Sequence, residues 1–106
     1  MSEPSIHALL IISGSGPMLI LTSYPGPGDP RLVEQLRLRG ISRFLAYEIA
    51  VDVVRDGYPD AFERVAADLH ETEDARVLDY NGHQIMAKFQ HSELGQPLEI
   101  GDQPPG

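Results

Sequence analysis

The amino-acid sequence predicts an α+β domain of two layers: a mainly antiparallel five-stranded sheet with two helices packed on it, the elements following one another as β-β-α-β-α-β-β. Three observations lead there. Two short apolar runs, Ala8-Leu9-Leu10-Ile11-Ile12 and Met18-Leu19-Ile20-Leu21, are joined by the tight turn Ser13-Gly14-Ser15-Gly16-Pro17. Two later stretches repeat apolar residues at helical spacing. Further on, Asn81-Gly82 separates two strand-like runs, and this dipeptide suits the positive-φ positions of a type I′ hairpin turn.

The first hairpin is the most telling element, because neither run alternates. A strand with one wet face reads apolar-polar-apolar, so two adjacent strands without a polar position require cover on both faces. Two helices on one face leave the other bare. Leu10, Ile12, Met18 and Ile20 are therefore candidates for an apolar interface with a second copy or another protein. A curled sheet closing on itself is the competing explanation.

Pro25-Gly26-Pro27-Gly28 can neither continue a strand nor start a helix, so it is a connector. Asp29-Pro30 reads as an N-cap followed by the favoured N1 proline. Leu32, Val33 and Leu36 form the apolar stripe of this first helix; Arg37 and Arg39 suit its C-terminal end, and Gly40 suits the left-handed residue that closes it. Ile41 then folds back over Leu36.

Arg43–Ile49 is short and rich in aromatic and branched residues, as a third strand should be. Residues 51–56 make one short helical turn closed by Gly57. Pro59 forces Tyr58 out of the helical region and starts a second helix over residues 59–70, with Phe62, Val65, Ala66 and Leu69 on one face. Residues 76–80 and 83–89 are expected to pair as a hairpin about Asn81-Gly82, and residues 97–100 to add an edge segment. Residues 1–100 form one domain, and residues 101–106 a flexible tail.

Composition narrows the function classes. A chain of 106 residues buries close to two-thirds of its unfolded surface and needs no staple. Cysteine is absent, which removes disulfides, thiolate metal sites and thiol nucleophiles and fits a cytoplasmic location. Met1-Ser2-Glu3-Pro4 lacks the basic residues of an export signal, and no apolar run approaches the length of a membrane span. A net charge of −8 argues against nucleic acid as a partner. The charge is uneven: Asp60, Glu63, Asp68, Glu71, Glu73 and Asp74 crowd the second helix and its end, whereas Arg31, Arg37, Arg39 and Arg43 gather around the first.

No catalytic or cofactor signature stands out, and no cofactor is implied. Gly14-Ser15-Gly16-Pro17 lies between two strands, whereas a phosphate loop passes from a strand into a helix N-terminus. His70, Glu71, Asp74 and His83 offer imidazole and carboxylate ligands for a metal, without the spacing of a specific motif. Asp79, Tyr80 and His83, joined by Tyr47 or Tyr58, are the best general acid–base group, and helix capping and turn chemistry explain the same residues. Arg37, Arg39 and Arg43 are candidates for contact with a carboxylate, a phosphate or an acidic partner.

The reading these observations favour is a small cytoplasmic binding or regulatory module acting through protein–protein contacts, as a homodimer through its apolar sheet face, with no nucleic acid and no membrane involved. The alternatives are a small-ligand or metal-binding enzyme using His70, His83 and neighbouring acids, and a subunit of a larger hetero-complex.

Overall fold

β1 (His7–Ser13) and β2 (Gly16–Thr22) form the central hairpin, with Leu9 opposite Ile20 and Leu10 opposite Leu19. Gly16, at φ 104°, takes the left-handed conformation the tight turn requires. The structure, a computed structural model, describes residues 6–24, 26–71, 75–78, 84, 87–89 and 98–101.

α1 (Pro30–Leu38) begins and ends as its sequence dictates. The Asp29 side chain accepts a hydrogen bond from the Arg31 N–H at 2.9 Å. At the other end Gly40, at φ 86°, donates to the Arg37 carbonyl and Ile41 donates to that of Leu36, the closure known as a Schellman motif. β3 (Arg43–Ile49) follows. α2 (Val51–Gly57) and α3 (Pro59–Glu71) are parted at Tyr58, whose φ of −146° shows how the following proline stops the first helix. β4 (Ala75–Leu78) and β5 (Leu98–Gly101) form the two edges of one antiparallel sheet of order β4-β2-β1-β3-β5. β5 thus runs one residue beyond the expected domain limit, and residues 102–106 lie outside the described ones.

Helices cover both faces. Alternate residues of the hairpin sort into two separate cores: Ala8, Leu10, Leu19 and Leu21 pack with Val54 of α2 and with Val65 and Leu69 of α3. Leu9, Ile11 and Ile20 pack with Tyr24, with Leu32 and Leu36 of α1, and with Ile41. Burial of each such side chain contributes roughly 1.5–3 kcal/mol, so the two cores jointly account for the missing polar positions of the hairpin. The expected α+β sheet and element order are present, but the placement of all helices on one face is corrected.

The connections explain why α1 and the link from β4 to β5 lie on opposite faces. β2 and β3 run parallel, joined by α1 across β1; β4 and β5 also run parallel, in the opposite sense, and are joined across the whole sheet. Both crossovers step the same way over the sheet, so a single handedness puts them on opposite faces. Phe89 confirms the second placement, since it belongs to the core of α2 and α3.

The second expected hairpin is also corrected. Residues 84 and 87–89 are helical, and the strand that completes the sheet is β5, which pairs with β3 and not with β4. Residues 79–83, with the Asn81-Gly82 turn, lie outside the described ones. In sequence Ile85 and Phe89 are four apart, a spacing that suits strand and helix alike, and Met86, Ala87 and Lys88 are good helix formers.

Candidate functional site

One end of the sheet brings together residues that the sequence keeps apart. There the β1–β2 turn supplies Ser13, Gly14 and Ser15, the link from α1 to β3 supplies Arg39, Gly40, Ile41, Ser42 and Arg43, and β4 ends at Leu78. The register explains the meeting: Ser13 faces Gly16, Leu19 faces Leu78, and Arg43 opens the strand whose Leu45 faces Ile12.

Two pockets adjoin at this end. One, of about 210 Å³, is lined by Ser13, Gly14, Ser15, Gly40, Ile41, Ser42 and Arg43. The other, of about 360 Å³, is lined by Pro17, Met18, Val77 and Leu78 with Ser15, Ile41 and Arg39. Ser15 and Ile41 line both, so the two are neighbours.

The electrostatics are opposite to those of the whole chain. Among the described residues two arginines and no carboxylate line the pockets, in a protein of net charge −8. Arg43 reaches Glu99 of β5 at 3.7 Å, with both side chains largely exposed, an ion pair too weak to hold the guanidinium in place. Arg39 makes no ion pair among the described residues. Its position at the C-terminal end of α1 suits the helix dipole, and beside it Leu38 is 78% exposed. Ser13 accepts a hydrogen bond from the Ser15 N–H at 3.2 Å, which tightens the turn.

No family model, curated protein or solved structure matches this chain.

The other residues singled out from sequence fall in different places. Leu10 and Ile20 are 1% and 0% exposed and are covered by the chain's own helices, so neither is available as an interface side chain in this fold. This corrects their reading as interface residues: Leu10 lies under α2 and α3, and Ile20, on the opposite face, lies under α1. Ile12 and Met18 are half-buried, and Met18 lines the larger pocket.

For the histidine–acid set, His70 and Glu71 close α3, but their side chains are outside the description, as are Asp74 and His83 altogether. Among the described residues no group of three His, Asp or Glu side chains is placed to hold a metal ion. Asp79 and Tyr80 also lie outside; Tyr47 packs against the core of α2 and α3, and Tyr58 occupies the break between those helices. No helix among the described residues is long and apolar enough to cross a membrane.

Sequence reasoning found Arg39 and Arg43 but not Ser13, Ser15 and Ser42 as their companions. The signal lies in two halves: a serine-rich turn, which lacks the context of a phosphate loop, and a basic helix end, which reads both as a cap and as a contact for an anionic partner.

Proposed function

We propose that this protein is a binding module that recognises an anionic group, a carboxylate or phosphate, at the end of the sheet where the β1–β2 turn meets the α1–β3 link. The observation that carries the reading is that Arg39, Arg43 and three serines line the two pockets, with no carboxylate among the described lining residues, in an acidic chain. Guanidinium groups and hydroxyls are the donors that such anions take, and hydrogen bonds between charged groups are about twice as strong as neutral ones. Local positive charge on a negative molecule also guides an anion to this end and repels it elsewhere.

Binding and not catalysis is favoured because the described residues of the site offer donors with no carboxylate or imidazole base set against them. A protein-borne acid and a small anion satisfy the same donors, so a partner protein remains within this reading.

Titration with inorganic phosphate and with acetate, at constant ionic strength maintained by chloride, tests it through amide shifts in a 1H–15N NMR spectrum. The expected result is a saturable shift of Gly14, Ser15, Gly40 and Ser42 that disappears in the Arg39→Gln, Arg43→Gln double variant. Unsaturable shifts, or shifts that persist in that variant, overturn the proposal.

A further inference from the structure

We propose that the anion taken by this site is borne by a second copy of the chain: the basic end of α1 in one copy docks on the acidic outer surface of α2 and α3 in the next, and copies associate head to tail. This rests on the anion-binding reading above and names its partner.

Charge complementarity within one sequence carries the argument. Arg37, Leu38, Arg39, Ser42 and Arg43 gather where α1 closes and are all exposed. Leu38, at 78%, is an apolar side chain left in water among guanidinium groups, and arginine is enriched where proteins meet. Residues 51–71 supply the opposite charge, with six acids against two arginines. Asp52 and Asp56 in α2, and Asp60 and Glu63 in α3, are exposed and make no ion pair among the described residues. Their spacing of four and three positions puts the members of each pair side by side on the helix. Phe62 of α3 is only half-buried, so an apolar surface for Leu38 is present in the same layer.

These surfaces cannot neutralise each other within one chain, because α1 covers one face of the sheet and α2 with α3 the other. Pairing of like surfaces sets arginines against arginines or acids against acids, which is unfavourable. A contact between unlike surfaces on opposite faces is heterologous, so it repeats from copy to copy instead of closing as a two-fold dimer. Exposed ion pairs are individually weak, and the contact therefore belongs to high protein concentration and low salt.

Sedimentation velocity from about 20 μM to 1 mM protein, at ionic strengths of about 30 and 300 mM, reads the association. The expected result is a sedimentation coefficient that rises with concentration at the lower ionic strength and is constant at the higher. Generic repulsion between chains of net charge −8 has the opposite salt dependence.

Two double variants identify the surfaces, with circular dichroism to check that each folds as the parent does. Arg39→Gln with Arg43→Gln removes the basic surface, and Asp60→Asn with Glu63→Gln removes the acidic one. Each alone should stay monomeric, although the second lowers the net negative charge and thus the generic repulsion. An equal mixture should associate again and stop at a dimer, since only one basic and one acidic surface remain between the two. A parent that is monomeric throughout, either variant associating alone, or a mixture without a complex overturns the head-to-tail contact. If acetate or phosphate still shifts the Gly14, Ser15, Gly40 and Ser42 amides saturably, the anion-binding reading stands with a different partner. Failure of both anions to bind overturns both.

Discussion

Leu9 and Leu10 are neighbours in β1, yet each is buried in a different core: Leu9 with Leu32 and Leu36 of α1, Leu10 with Val54 and Val65 of α2 and α3. The central hairpin is therefore sealed between two helical layers of one chain.

Leu9→Ala and Leu10→Ala should each lower the free energy of unfolding by about 2–5 kcal/mol, because each deletes packed side-chain volume from a closed core. Urea denaturation checks this, and the midpoints should not depend on protein concentration. Leu10→Asp and Ile20→Asp should fail to fold instead of yielding a folded monomer, since the new carboxylate has no water and no partner. A folded, monomeric Leu10→Asp variant from a dimeric parent would show that the face is an intermolecular one after all.

Gly40→Ala should destabilise by about 1–2 kcal/mol. Nothing lies within 4 Å of the position a Cβ would take, so the cost is the left-handed backbone at φ 86° and not a clash. Gly40→Asn should recover part of the loss, because asparagine tolerates this conformation better than alanine. Equal stabilities of the alanine and asparagine variants would contradict that assignment.

Asp29 both caps α1 and grips Arg31 through two oxygens, at 3.0 Å to Nε and 2.9 Å to Nη2. The Arg31 side-chain hydrogen bonds, joined by the Arg31 backbone N–H, hold its carboxyl below the ordinary value of 3.8. A depressed carboxyl contributes stability above the unfolded-state value and loses it as pH falls through the folded one. The difference in Tm between the parent and Asp29→Asn should thus be steady from neutral pH down to about 5 and shrink as the acid is titrated below about 4. Thermal melts across that range measure it, and a difference that grows on acidification would reverse the sign.

Arg39→Gln and Arg43→Gln should each leave stability within about 0.5 kcal/mol of the parent, because Arg39 has no ion pair among the described residues and the Arg43 pair with Glu99 is exposed. Both should weaken phosphate or acetate binding, and raising sodium chloride should weaken it further in the parent than in the double variant. Isothermal titration at two salt concentrations reads both effects. Destabilisation by several kcal/mol would mean that these arginines hold the fold.

Local signals were legible residue by residue. Asp29-Pro30 started α1, Gly40 closed it with Ile41 turned back on Leu36, Pro59 split α2 from α3, and Arg43–Ile49 is the third strand to the residue. Each depends on contacts within a few positions, where φ restrictions, caps and periodicity act without reference to the rest of the chain. The unbroken apolar runs of residues 8–12 and 18–21 likewise implied cover on both faces of the hairpin, because no polar position among them accommodates water.

Which atoms supply that cover is a matter of topology. Whether α1 shares a face with α2 and α3 depends on how strands distant in the chain are ordered and connected across the sheet, a long-range relation that no helix's own residues encode. The same holds for Phe89, whose spacing from Ile85 suits strand and helix alike until the crossover to β5 selects the helix. It holds also for the candidate site: Ser15 and Arg39 are separated by two elements and share a pocket only because β1, β2 and β3 pair in one register. Short-range sterics and water exclusion wrote the elements into the chain, and the pairing of distant strands set the elements' faces and neighbours.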